Sequence, residues 1–414
     1  MKINLFGNFG STNLGNEATL LVIISRLRLL FPGCELCCVC GFPETVIKTH
    51  GIDAVPYAAR SVRIWNRQAS LRERLRLALR GVREEAGDYA RAWRVLEGAD
   101  LMIVPGTGLL TDAWGLSRWG PYGLLKWSLV ARLRKCRVIF LSVGAGPVHG
   151  RLGRLLLRSA LSLADYRSFR DGPSRKVAAS LGLCTRDDRI YPDLVFDLSP
   201  PSTPTAVERE GGRAVVGLGL MEYQAKYSVP SPTGDTYYRY LDSLAVFVGW
   251  LLDCEYDVKL LLGDADALVI DELRATLRRR LGRYAEERVT DSPIDSINEL
   301  LSQLSSTDFV VATRFHNVLM SLLLGKPSIA ISFHHKLASL MSEMGLSEFC
   351  HDMNQIDADT LIAQFQELVR RAEDLKIAIA DRVGESRLAL DEQYELLFGG
   401  SSEEPALDGA IAAS

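Results

Sequence analysis

The chain has 414 residues, of which 47% are hydrophobic, 24% charged and 8% aromatic. At ~100–200 residues per domain this length points to two domains, and the composition excludes a disordered chain, a collagen and a coiled-coil rod. The longest clean apolar run, residues 244–252, falls well short of the ~20 residues that span a bilayer. The N-terminus turns polar within a few residues, unlike a secretory signal, so a cytoplasmic protein is expected.

The net charge of −3 conceals an asymmetry. Residues 1–200 carry 29 Lys and Arg against 17 Asp and Glu, a net of +12; residues 201–414 carry 19 against 34, a net of −15. A basic half joined to an acidic half suggests domains with different partners. The basic excess is concentrated in residues 60–94, with ten Arg against four acids.

From residue 2 onward strand-like and helix-like segments alternate. A strand is expected at 3–6, then turn-rich 7–15 and a helix over 17–31. Strands follow at 36–39, 101–104 and 138–143. The last two end in glycine loops, Pro-Gly106-Thr107-Gly108 and Gly144-Ala-Gly146-Pro. A strand at 166–169 leads to a helix over 173–181. Residues 199–212, rich in Pro, Ser, Thr and Gly, read as a linker. Alternation then restarts, with strands at 214–218, 258–262, 309–312 and 328–331. Helices are expected over 237–253, 266–281, 294–305 and near 317–324. Such alternation with tight glycine turns predicts α/β architecture: two Rossmann-like, doubly wound domains facing a central cleft. The expected bounds are 1–198 and 213–398, with a disordered acidic tail at 399–414.

Cys34, Cys37, Cys38 and Cys40 share one run, but no second Cys/His pair follows at knuckle spacing. They read as reduced thiols of a buried strand, and no metal is expected. Neither glycine loop completes a dinucleotide fingerprint, and no Walker loop is present.

Thr313-Arg314-Phe315-His316 is the most informative segment. It falls where a strand ends and a helix begins, the edge at which doubly wound folds bind ligands. A helix start there favours an anion, Arg314 adds a fork suited to phosphate or carboxylate, and His316 adds a proton donor. A loop-capping Arg with a His satisfied at an interface fits this segment equally well. Ser168-Phe169-Arg170-Asp171 places another Arg past a strand end. Ser332-Phe333-His334-His335-Lys336 places a cation after the following strand, and Phe9 to Glu17 holds polar residues and glycines at the first strand–helix junction.

In order and spacing these segments resemble the polysaccharide pyruvyl transferase family, over residues 3 to about 350. That family carries a Gly-Asn-x-Gly-Asp-Glu-like opening, a glycine triplet, a Ser-x-Arg-Asp/Glu turn, an Arg-x-His turn and a late Tyr-x-x-Lys-like element. Here Asn16 stands for the usual Asp, Gly106-Thr107-Gly108 for the triplet and Phe333 for the common Tyr. The resemblance implies a fold similar to the two-domain GT-B glycosyltransferases. It also implies transfer of a pyruvyl group from phosphoenolpyruvate to hydroxyls of a polysaccharide or lipid-linked glycan precursor, with no cofactor. Arg170, Arg314 and Lys336 are the candidate donor cations and His316 the general acid, with His334 and His335 weaker candidates. Asn13, Gly15, Asn16, Glu17, Gly106 and Gly108 are the further substrate-binding candidates. A helix N-terminus and Arg314 should both keep an empty-site His316 neutral.

Two rivals remain at this stage. One is a nucleotide-sugar glycosyltransferase, with Glu343 or Glu348 available for a ribose; the other is a non-catalytic sugar or anion binder, which needs the cations but no His316. In residues 60–94, Leu71, Leu75, Leu79 and Val82 recur at helical spacing between arginines. The preferred reading is a helix packed on the first domain by this stripe, ahead of a peripheral contact with an anionic membrane. Nucleic acid is not expected, since the chain is acidic overall and shows no recognition module.

Overall fold

The computed structural model describes residues 1–58, 71–116, 120–199, 212–221, 234–261, 267–282, 284–333 and 335–399. Among these, the strands form two sheets. The first holds β1 (Lys2–Phe6), β2 (Glu35–Cys40), β3 (Asp53–Pro56), β4 (Leu101–Pro105), β5 (Arg137–Val143), β6 (Tyr166–Phe169) and β7 (Arg189–Ile190), in the order β3-β2-β1-β4-β5-β6-β7. The second holds β8 (Val215–Gly219), β9 (Asp257–Leu261), β10 (Val289–Ser292), β11 (Phe309–Ala312), β12 (Ser328–Ser332) and β13 (Cys350–Asp352), in the order β10-β9-β8-β11-β12-β13. Their ladders are parallel. Central strands such as Leu-Met-Ile-Val-Pro of β4 are buried along their whole length, as strands covered by helices on both faces must be.

The helices of the first unit are α1 (Leu14–Leu30), α2 (Pro43–His50), α3 (Leu71–Val95), α4 (Pro121–Leu133), α5 (Arg151–Ser162) and α6 (Gly172–Ser180). Those of the second are α7 (Gly234–Asp253), α8 (Ala267–Leu281), α9 (Ile297–Ser305), α10 (Phe315–Leu323), α11 (His335–Glu343), α12 (Ala358–Arg370) and α13 (Ala372–Phe398). The two doubly wound units confirm the architecture read from the sequence. In each sheet the order reverses beside a central strand, between β1 and β4 and between β8 and β11. Ligand crevices lie outside the carboxyl ends at such switch points.

One apolar cluster runs from the α1 side of the first sheet into the second unit, joining Leu20, Ile24 and Leu194 to Val318, Leu322 and Leu390. A separate cluster under α3 to α6 holds Trp127, Phe140 and Leu157. Helix α13 closes the molecule: it follows the second sheet in sequence yet returns to the first. Arg26 of α1 bonds Asp197 and Asp391 and lies 4.7 Å over the Tyr394 ring. Phe398 meets Phe31 edge-on at 5.4 Å, and Arg387 donates to the carbonyls of Phe196 and Leu198.

The basic segment departs from the expected packing. In α3 Leu79 and Val82 are 62% and 69% exposed, so the leucine stripe does not seat these residues on the sheet. What anchors α3 is its C-terminal half: Ala92 is buried, and Lys126 of α4 bonds Glu85 at 2.9 Å. Residues 60–70, the linker core 200–211, the tail 400–414 and His334 lie outside the described residues. Cys34, Cys37, Cys38 and Cys40 are free thiols in or beside β2, and burial pushes Cys37 up to about 11. Among the described residues no group of three metal-ligating side chains occurs, and no helix is long and apolar enough to cross a membrane.

Candidate active site at the domain cleft

The β11–α10 turn is short and charged. Thr313 is buried, its N–H donates to Gly219 O on β8 at 2.9 Å, and its hydroxyl meets Tyr240 Oη at 2.8 Å. Arg314 is the extended N-cap of α10, which places Phe315, His316 and Asn317 in the first helical turn. His316 therefore sits at a positive helix end.

Across the cleft stands the start of α1. Asn13 caps that helix by accepting from Asn16 N–H at 3.1 Å. Gly15 packs so closely on His316 that a Cβ there would overlap the imidazole. Two helix N-termini, one from each domain, thus meet on a single histidine. Asn13, Leu14, Gly15, Leu300, Arg314, His316 and Asn317 line a cavity of about 40 Å³ between them.

The remaining cations converge from either side. Arg170 follows β6, is buried, and donates to Asp193 at 2.9 Å. Its guanidinium lies 5.0 Å over the Phe315 ring of the opposite domain. Gly144 leaves room for it, since a Cβ there would stand 2.7 Å from Arg170 Nε. Lys336 reaches from α11 toward the β4 loop, where a Cβ on Gly108 would lie 3.1 Å from its Nζ. Gly15, Gly108, Arg170, the Arg314–His316 turn and Lys336, five segments far apart in sequence, therefore face one cleft.

The opening segment plays a different part. Asn16 donates from Nδ2 to Asn8 O at 3.0 Å, and Glu17 accepts from Gly10 N–H at 2.8 Å and meets His50 at 3.4 Å. Both side chains brace the β1–α1 loop. Gly106 packs closely on Leu194 and on the carbonyl of Ser142. Glu348 pairs with Arg371 at 2.7 Å. Glu343, on α11, has much of its surface in solvent, but its carboxyl reaches the cleft, where burial and then Asp171 push it up to about 7 against Arg170.

Electrostatics follow from this crowding. Burial pushes His316 down to about 4, with Arg170, Lys336 and Arg314 acting in the same direction against Asp193. The imidazole is thus neutral, as expected, but burial is the leading cause and Arg314 the smallest of the three cationic ones. Lys336 is pushed down to about 8, first by burial and then by Arg170, with Asp171 and Asp193 opposing. Among the described residues three buried donors around the cleft make no hydrogen bond: Arg170 Nε, which has Asp171 at 3.6 Å as an ion-pair partner, Asn317 Nδ2 and Thr107 Oγ1. Unpaired buried donors are rare and call for an explanation; an anion supplies acceptor oxygens to such groups.

Asp193, Asn317 and Thr107 were not singled out in the sequence. Asn317 follows the Arg-x-His turn by one residue and Thr107 lies inside the 106–108 glycine motif, so nearness to a motif was the available signal. Asp193 carries none, because only the return of the chain after β7 brings it to Arg170.

The polysaccharide pyruvyl transferase family model matches residues 13–335. The amylovoran biosynthesis protein AmsJ of Erwinia amylovora is 26% identical over 111 residues, which span 26% of this chain and 27% of that protein. A UDP-N-acetylglucosamine 2-epimerase of Listeria monocytogenes, so described putatively in its own structure, superposes with TM-score 0.61 at 10% identity, covering 99% of both chains. Anabaena Alr3699/HepE, solved with UDP and glucose, superposes with TM-score 0.57 at 15% identity, covering 97% of this chain and 100% of that one. These structures share the GT-B-like fold. With its glycine loops, its Arg-x-His turn and a family match over most of its length, the chain belongs to the polysaccharide pyruvyl transferase family.

Proposed function

We propose that the protein transfers a pyruvyl group from phosphoenolpyruvate to sugar hydroxyls of a polysaccharide or lipid-linked glycan precursor, releasing phosphate. The observation that carries this reading is the convergence of Arg170, Lys336 and Arg314 on His316, whose ring packs on the first turn of α1. Phosphoenolpyruvate is a small polyanion, and such a ligand needs several cations and helix ends within one small volume. Arg314 and Lys336 serve its phosphate and carboxylate, together with the Nε of Arg170 and the amide of Asn317, neither of which makes a hydrogen bond within the described residues.

His316 supplies the proton. Delivered to the methylene carbon, it leaves an oxocarbenium-like centre at the neighbouring carbon. A sugar hydroxyl attacks that centre and returns a proton to the imidazole, the carbon–oxygen bond to phosphate breaks, and a second hydroxyl closes the ketal, its proton passing to the released phosphate. Neutral in the structure, His316 acquires its proton when the donor's negative charge enters and reverses the local field.

No cofactor takes part in this reading, so full activity is expected after EDTA treatment; loss restored by one divalent cation overturns that point. The main test is phosphate release from phosphoenolpyruvate with a glycan acceptor, against UDP- and GDP-sugars as rival donors. Turnover of a nucleotide sugar but not of phosphoenolpyruvate overturns the assignment.

The reading places the acceptor side near an anionic membrane surface. In α3, exposed Leu79 and Val82 alternate with exposed Arg76, Arg80 and Arg83. The protein should pellet with anionic vesicles and be released by salt, which screens ~1 kcal/mol per basic residue. Equal binding to neutral vesicles, or none to either, removes this contact.

A further inference from the structure

The end of β5 is irregular. Its pairing with β6 shifts register between Phe140 and Val143, and Ser142 stands at φ +48°, a left-handed conformation uncommon outside glycine. Three side chains at 0% exposure close around this kink. Gln393 of α13 donates from Nε2 to Ser168 Oγ at 2.6 Å, and its Oε1 accepts from Ser142 Oγ at 3.1 Å. Ser168 Oγ in turn accepts from the Ser142 main-chain N–H at 2.8 Å. The ring joins two strand ends of the first sheet to the last helix of the chain.

Directly above it lies the Arg170 turn. Arg170 is two residues beyond Ser168, and its own N–H donates to Val143 O at 3.2 Å. Gly144, two residues beyond Ser142, is the glycine whose missing Cβ leaves space for the guanidinium. A side chain two residues along a strand leaves the same face of the sheet. The height and twist of β5 and β6 at residues 142 and 168 therefore set where the Arg170 backbone stands, while Asp193, Asp171 and the Phe315 ring hold its guanidinium. The β5–β6 pairing is interrupted between Phe140 and Val143 and resumes at Val143 and Phe169. The side-chain ring spans that interruption, and its only contribution from outside the first sheet is Gln393.

We infer that Gln393 is a positioning residue for Arg170, through which the C-terminal helix aims this cation into the cleft. The inference rests on Arg170 serving the donor anion, as proposed above. It gives α13 a task beyond covering the core: the segment that leaves the second domain last determines the geometry of a first-domain cation.

The test compares Gln393→Leu and Ser168→Ala with Leu390→Ala, a buried α13 position that faces the apolar cluster. Two readouts are taken beside the thermal midpoint. The first is the KM for phosphoenolpyruvate against kcat; the second is the rate at which phenylglyoxal modifies Arg170, followed by peptide mass spectrometry. Gln393→Leu and Ser168→Ala should raise the KM by about tenfold with kcat within about twofold, less than the ~10²-fold that a 1 Å misplacement can bring. Both should also speed Arg170 modification, while Leu390→Ala lowers the midpoint and leaves both readouts unchanged. If Gln393→Leu does not fold, Ser168→Ala decides. An unchanged KM and an unchanged modification rate in a folded variant overturn the inference. Failure of the native protein to bind phosphoenolpyruvate defeats the donor reading instead, and the Arg170 modification rates still decide the positioning role.

Discussion

The two strand–helix turns that meet in the cleft solve the same problem differently. The β1–α1 turn is long and contributes space: Gly10 takes φ +76°, Gly15 lies bare against His316, and Asn13, Asn16 and Glu17 spend their side chains holding the loop. The β11–α10 turn is two residues long and contributes charge and a titrating ring, Arg314 and His316. Polar side chains near a site therefore divide into those that build a backbone surface and those that do chemistry. Hydrogen-bond partners, not residue type, tell the two apart. A long turn needs internal bonds to be rigid, whereas a short one is held by the strand it leaves.

The largest effect should come from the side that carries chemistry. His316→Gln should lower turnover by ~10²–10⁴-fold, the usual worth of a positioned general acid, with phosphoenolpyruvate affinity nearly intact. Stopped-time phosphate release and donor titration measure the two quantities separately. A variant that keeps turnover but loses donor affinity makes His316 a binding group.

On the opposite side Gly15→Ala changes no charge, yet its methyl cannot coexist with the imidazole. Turnover should fall by about 10²-fold, because the domains can no longer close to the working distance. Native turnover in this variant would show that the α1 surface is not half of the site. Asn16→Ala should act mainly on stability, since its amide serves Asn8 O.

The cations come next. Arg314→Ala and Lys336→Ala should each weaken donor binding by ~10- to 100-fold, or ~1.5–3 kcal/mol. Arg170→Ala should do the same and also lower the thermal midpoint, because it strands the buried Asp193 carboxylate without its partner. Equal midpoints for all three variants would contradict that distinction.

The smallest effects are in pH dependence. His316 has its native pKa depressed to about 4 from an ordinary 6.5. The stability linked to it is thus present above 6.5 and lost as pH falls toward 4, because the unfolded chain takes up the proton first. Denaturant midpoints of native protein and His316→Gln should converge over that window. Donor binding opposes both depressions, at His316 and at Lys336 near 8. Calorimetry between pH 6 and 8 in buffers of different ionisation enthalpy should therefore show net proton uptake.

Much of the fold was legible locally. The strand at 309–312 matches β11, because a short apolar run between turn signals leaves a parallel strand little choice of limits. The strand at 166–169 matches β6 with aromatic residues only at its two ends. Helix α1 begins three residues earlier than expected, at Leu14, since Asn13 rather than a later residue caps it. The outward Leu79 and Val82 were misread, because helical spacing of leucines records an apolar stripe without recording what covers it.

By itself the sequence determined two parallel α/β units and the candidate cations Arg170, Arg314 and Lys336 with His316, because strand–turn–helix chemistry is written within a few neighbouring residues. Only the tertiary structure decided which of them meet. It set His316 on Gly15, paired Arg170 with Asp193, and brought Gln393 from the last helix beneath the Arg170 turn. The physical reason is that contacts between distant segments depend on how whole sheets and helices pack, and no local pattern carries that information.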